Sequence, residues 1–290
     1  MLAKYMKYDI KIMFRKRTFQ FAFIGMLCLA IGVPVFNLIK YWGEYEYALP
    51  SAHTLYIANG DGNVWSYLSL IIPFFISLPF CFSFLDEYKS GVILYVQTRG
   101  ERKSYYYAQI ITCFLGTAMV ILIPFLLNIL LNGIIFPVNG NDFVSTYNVY
   151  DRTWANSVMG YGFWKKTFSN GMIFKHIAID YPQLYNVIFA FWAAFAMGVL
   201  SMFVYAISLL VKKQAIWLLI INYLFFQVFT VFNRIMEDLS FVYINLELTD
   251  YLANGQFNIG LVYLFYLLFL VLLMFVSHRI IKHKINLDEE

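Results

Sequence analysis

DEYKSGVILYVQTRGERKSYYYAQ, residues 86–109, carries Asp86, Glu87, Lys89, Arg99, Glu101, Arg102 and Lys103, yet it separates two of the longest apolar runs in the chain. Those flanking runs decide the fold. About twenty apolar residues cross a hydrocarbon core as a helix, and six segments have that character: roughly 19–39, 65–85, 107–136, 186–211, 214–233 and 257–277. None of the six contains an Asp, Glu, Lys, Arg or His.

The totals agree. Of 290 residues, 61% are hydrophobic and 13% charged, with a mean hydropathy of +0.65, whereas soluble domains run to about 45–50% apolar and about 25% charged. The segments are rich in Phe, Leu, Ile and Tyr and show no ten-residue alternation of the kind that builds an outer-membrane barrel. The expectation is an all-α integral membrane protein with six transmembrane helices in a single membrane domain spanning 1–290. The basic N-terminus followed by the 19–39 run has the outline of a secretory signal. That run is longer than the roughly 7–15 residues of a signal core and no small-x-small cleavage site follows it, so it is expected to remain as the first span.

Orientation follows from the Lys and Arg residues between spans. The N-terminal segment, the 86–104 loop, Lys212-Lys213 and the C-terminal tail hold fifteen, while the alternate set (Lys40, the long 137–185 segment and Arg234) holds six over many more residues. By the positive-inside rule both termini lie in the cytoplasm, here the bacterial cytoplasmic membrane's inner face. Residues 137–185 then form an external loop rich in Trp and Tyr.

Two cytoplasmic features stand out. In MLAKYMKYDIKIMFRKR, Lys4, Lys7, Lys11 and Arg15 fall in one narrow sector of a helix, opposite Leu2, Tyr5, Met6, Ile10, Ile12 and Met13. Asp9 alone is on the wrong face. Such a helix, over 1–18, lies on a lipid bilayer with its apolar side in the acyl boundary and its cations on anionic headgroups. The 86–106 loop reads as two helical pieces around the charged turn 98–103. Arg99, Arg102 and Lys103 suit carboxylates of a partner protein, and Tyr105 to Tyr107 mark the membrane interface.

At these residues the chain resembles the membrane-spanning subunit of ABC-2 type ABC transporters. Glu87, Gly91, the apolar stretch 92–96, Arg99 and Tyr105 follow that family's loose loop pattern. A Pro before the Arg is missing, and Gln109 stands near a position where Lys is common. The resemblance implies an N-terminal elbow helix and a coupling helix between spans 2 and 3, with Glu87, Gly91, Arg99, Arg102, Lys103 and Tyr105 in the ATPase-coupling loop. It also implies a second permease, identical or a sibling, and separate ABC ATPase subunits.

The chain has no G-x-x-x-x-G-K-[ST] loop, so ATP and magnesium belong to the ATPase partner and this chain carries no cofactor. His53, His176, His278 and His283 form no metal or catalytic motif, and Cys28, Cys81 and Cys113 lie in apolar runs where a thiol acts as a small hydrophobe. Proton- or sodium-coupled carriers need ionisable residues at membrane depth; the spans offer only Asn128, Asn132, Asn222, Gln227 and some Ser and Thr. Asn128 with Asn132, and Ala190, Ala194 and Gly198, share helix faces and read as interhelical packing. The modest charge of +4 speaks of orientation, with no nucleic acid among the partners. The functional expectation is a non-enzymatic permease exporting or extracting a hydrophobic or amphipathic substrate, such as an antimicrobial peptide or lipid. The alternative is a non-transporting membrane scaffold or sensor that recruits a cytoplasmic partner through 86–106.

Overall fold

Lys16 adopts extended backbone angles, φ −70° and ψ 130°, and this one residue divides the N-terminal region into α1 (Leu2–Arg15) and α2 (Arg17–Lys40). The computed structural model describes residues 1–45, 49–57, 72, 74–91, 102–140, 174, 177, 180–210, 219–220, 223–224 and 259–289; among them the regular structure is helical, with no strand. The further helices are α3 (Ser83–Lys89), α4 (Arg102–Ile135), α5 (Pro182–Leu210) and α6 (Ile259–Glu289).

Helix α4 is the axis of the fold. It packs against α1, α2 and α5, and α5 in turn packs against α6. Its buried residues recur at three- and four-residue spacing, from Tyr105 and Gln109 through Gly116 and Val120 to Asn128 and Asn132, a broad face turned to its neighbours, while Ile123, Leu130 and Ile134 are exposed. Helix α2 is apolar on its whole circumference but buries only Phe19, Ala22, Met26, Ala30 and Pro34, a single stripe at three- and four-residue spacing. Its outer side presents Phe21, Ile24, Ile31, Val35, Phe36 and Ile39, a surface suited to lipid. Helices α2, α4 and α5 are long and apolar enough to cross a membrane, so the chain is a membrane protein.

Proline sets two local features. Pro34 has no N–H to give the carbonyl of Ala30 one turn earlier, and that carbonyl accepts instead from Asn128 Nδ2 of α4 at 2.9 Å. The second apolar segment, expected to run unbroken over 65–85, is helical at 72 and 74–77 and gives way to turns at 78–82 before α3 begins. Pro79 accounts for this: it cannot donate, and its ring crowds the preceding turn. The carbonyl of Ile76 is taken up by the Thr117 hydroxyl of α4 at 3.1 Å.

Other boundaries differ from expectation. Helix α4 starts at Arg102, five residues before the expected 107. Tyr105 and Tyr106 are consequently buried rather than exposed to the interface. Helix α6 continues past 277 through the basic tail to Glu289. His278, expected to be merely solvated, has its Nδ1 3.0 Å from the Tyr107 hydroxyl of α4. Helix α1 is present as expected, and Lys4, Lys7, Lys11 and Arg15 are all exposed. Its opposite face, expected in the acyl boundary, packs on the protein through Tyr5, Asp9, Ile12 and Met13. Arg99, the middle of the 86–106 loop, residues 65–71, most of 214–233, most of 137–185 and the segment 236–256 lie outside the described residues.

Between α4 and α5 the contact depends on small residues. A Cβ on Gly198 would stand 2.6 Å from the Phe114 ring, and Ala190 and Ala194, on the same face, are buried. Past α2 the chain folds back as a strap, 49–57, onto the far ends of α4 and α5. Three asparagines hold it: Asn128 Oδ1 accepts from the Ile57 N–H at 2.9 Å, Asn132 Nδ2 donates to the Leu55 carbonyl at 2.9 Å, and Asn186 Nδ2 donates to that of His53 at 3.0 Å. Asn132 Nδ2 also reaches Asn128 Oδ1 at 3.1 Å. The strap is largely buried, with Ser51, Ala52, His53, Tyr56 and Ile57 inside.

Candidate functional site: a buried polar cluster joining α1, α3, α4 and α5

At the opposite end of the bundle from the strap, a second polar network is built from ionisable side chains. Helix α3 is short and ends in a regular way: Gly91, at φ +75°, takes the left-handed conformation that favours glycine and closes the helix with an N–H···O contact of 3.3 Å to Tyr88. That termination sets Asp86 and Glu87 on the last turn, next to the start of α4. The Tyr105 hydroxyl and the Gln109 amide, one turn apart on α4, both donate to Glu87 Oε2, the amide at 2.8 Å. Gln109 Oε1 accepts from the Tyr205 hydroxyl of α5 at 2.6 Å, and Gln109 Nε2 lies 2.9 Å from the Tyr105 oxygen. Tyr5 of α1 closes the side, its ring edge-on to Tyr105 at 6.2 Å.

Asp86, one residue earlier, points outward and pairs with Lys16 at the α1–α2 break, Nζ to Oδ2 2.8 Å. The same ammonium lies 5.3 Å from the centre of the Phe80 ring. Lys16 is thus both the break between two helices and the tie between that break and α3.

Asp9 is the unexpected member. It is only 2% exposed, and its Oδ2 has no hydrogen-bond partner. Burial, and then the neighbouring Glu87 carboxylate, push its carboxyl from 3.8 up to about 7, against the opposing pull of Lys16. Burial also raises Glu87 above its usual 4.5, which the hydrogen bonds from Tyr105 and Gln109 and the Lys16 charge partly offset. A buried carboxylate without a counter-charge favours its neutral form, and two carboxylates in one low-dielectric site favour sharing fewer charges than groups.

Of the residues expected in an ATPase-coupling loop, Glu87 and Tyr105 are brought into direct contact, and Gly91 caps the helix that carries Glu87. Lys103 is exposed and Arg102 half-buried, both in the first turn of α4. Asp9, Lys16, Gln109 and Tyr205 were not expected here. Asp9 had a sequence signal, being the single acid on the apolar face of a Lys-rich helix. Gln109 stood out only as a departure from a family pattern, and Tyr205, inside an apolar run, gave no sign. No group of three or more metal-ligating side chains occurs among the described residues. What the cluster can do chemically is take up and release a proton and convey the change to the four helices it joins.

No protein-family profile, characterised protein or solved structure matches this chain.

Proposed function

We propose that the chain is the membrane-spanning subunit of an ABC-2 type ABC transporter, in which a separate ATPase drives export or extraction of a hydrophobic or amphipathic substrate such as an antimicrobial peptide or a lipid. In this reading the polypeptide crosses the cytoplasmic membrane six times with both termini inside. It pairs with a second permease and meets its ATPases through 86–106.

The observation that carries the reading is the Glu87–Tyr105 hydrogen bond. These two residues define either end of the loop that resembles a coupling segment, and their contact, reinforced by Gln109, braces both ends of that loop on the membrane helices. A push on the loop would therefore reach α3 and α4 together. Lys103 supports it from another direction: it is exposed, and a cation in the first turn of a helix opposes its macrodipole at a cost of about 0.3–1 kcal/mol, so it gains little for α4 itself and suits a partner's carboxylate.

The test is whether a neighbouring coding sequence specifies a nucleotide-binding subunit and whether that subunit co-purifies with this chain. Reversing Arg99, Arg102 and Lys103 together to Glu should release that subunit or leave its ATP hydrolysis unresponsive to substrate. A chain that purifies alone, or a triple variant with full coupled activity, would rule the reading out.

A further inference from the structure

We propose that Asp9 and Glu87 form a proton-binding site that clamps α1 onto α3 and α4, so that α1 is docked tightly when the site holds its proton and more weakly when it does not. The inference does not depend on the transporter reading.

It begins with position. Met13 and Asp9, one turn apart, are the two fully buried residues of α1, with Tyr5 and Ile12 partly buried beside them. Met13 fits against α4 where the chain makes room: a Cβ on Gly116 would lie 2.4 Å from its sulfur. The acid is the other anchor, and its Oδ2 has no donor. A charged carboxylate so placed is costly, whereas a protonated one is close to an ordinary amide in polarity.

Among the described residues no cation offsets the burial of Asp9 in full. From α3, Glu87 faces Asp9 and adds negative charge, and Asp86 is further out. From α4 come Tyr105, Tyr106 and Cys113, and from α5 Tyr205, none of them a cation. Tyr5 is the ionisable neighbour on α1 itself. Among the described residues the cation that acts on Asp9 is Lys16, and its ammonium is bound to Asp86. Glu87 already accepts from Tyr105 and Gln109, so of the two acids it is the better able to remain ionised. The proton therefore comes from solvent onto Asp9, taking that side chain from −1 to neutral, and leaves by the reverse step.

The sign follows from the raised carboxyl. A freely solvated Asp9 titrates at its ordinary 3.8 and the docked one at about 7. Between these values the docked form holds a proton that the undocked form does not, so docking weakens as pH rises, by about tenfold in the opening equilibrium per pH unit. Above about 7 both forms are ionised and the dependence ends. A fall in pH on this side of the protein clamps α1.

Hydrogen–deuterium exchange of the full chain in detergent micelles, followed on peptides covering 2–15 and corrected for intrinsic exchange rates, reads the opening equilibrium directly. From pH 5 to pH 7 the corrected exchange should rise on the order of a hundredfold and then level. Asp9→Asn should exchange with no pH dependence over the same range. Glu87→Gln removes the charge that helps raise Asp9, so its curve should level at lower pH than that of the wild type. Flat exchange in the wild type, a pH slope that survives in Asp9→Asn, or a Glu87→Gln curve that levels where the wild type does would each overturn the proposal. The wild-type measurement stands even if a variant does not fold.

Discussion

Replacing Asn128 by Ala removes three hydrogen bonds from the middle of the bundle. The losses are the donation to the Ala30 carbonyl, the acceptance from the Ile57 N–H and the contact with Asn132 Nδ2. A single interhelical hydrogen bond in a membrane protein contributes about 0.6 kcal/mol on average, because partners are found in the separated helices too. One of the three is interhelical, one ties the strap and one lies within α4; taken at about that size each, they give about 2 kcal/mol. The Ala30 carbonyl is the term least open to compensation, since Pro34 denies it a donor in either state. For a domain of this size about 2 kcal/mol corresponds to a fall of about 4–8 °C in Tm. The native thiols provide the assay: Cys81 and Cys113 are fully buried, and with the exposed Cys28 changed to Ala a thiol-reactive dye reports unfolding in detergent. The decisive step is a cycle with Pro34→Ala, which restores an N–H to the Ala30 carbonyl from within α2. In that background the cost of Asn128→Ala should shrink by about one hydrogen bond, roughly 0.6 kcal/mol. If Asn128→Ala costs the same in the Pro34→Ala background as in the wild type, the pairing of a proline gap with an asparagine donor is wrong.

Gly198→Val should destabilise by about 1–3 kcal/mol, because its Cβ alone would already lie 2.6 Å from the Phe114 ring; Phe114→Leu in the same chain should recover part of the loss in the thiol-dye melt, and recovery of none would place the strain elsewhere. Lys16→Met should be nearly silent in stability, within about 1 kcal/mol, since its partner Asp86 has 63% of its side chain exposed. A much larger fall in Tm would show that the ion pair at the α1–α2 break is shielded from water.

The membrane character was readable because it rests on run length, and α2, α4 and α5 fall where the apolar runs 19–39, 107–136 and 186–211 lie. The small-residue face of Ala190, Ala194 and Gly198 was readable for a related reason: helical spacing places them together before any partner is known. Helix boundaries were less so. Tyr105 to Tyr107 look like an aromatic belt in sequence, but α4 begins earlier and two of the three turn inward, a choice made by tertiary packing rather than local preference. Pro79 was a visible break signal inside a segment read for hydropathy alone, and hydropathy does not register a missing N–H. In the polar cluster, Glu87 and Tyr105 were singled out for position and charge, but as a surface for a partner. Asp9 was seen and set aside as a misfit because the amphipathic pattern was assumed to have lipid on its apolar side; with protein on that side, an acid there becomes a buried group.

The two ends of the bundle are held by chemistry of different kinds. At the strap, Asn128, Asn132 and Asn186 grip backbone groups with neutral amides, and nothing in those contacts titrates near neutral pH. At the other end α1 and α3 are held by two carboxyls, an exposed ion pair and a phenol, beside a break at Lys16 and a second interruption at 78–82. Charge-dependent contacts next to backbone breaks give way under conditions that leave neutral amide contacts intact. Movement should therefore begin with α1 and α3 swinging on α4 while the strap end keeps its register. Any protein or proton that acts on the 86–106 loop acts on the end of the molecule built to respond.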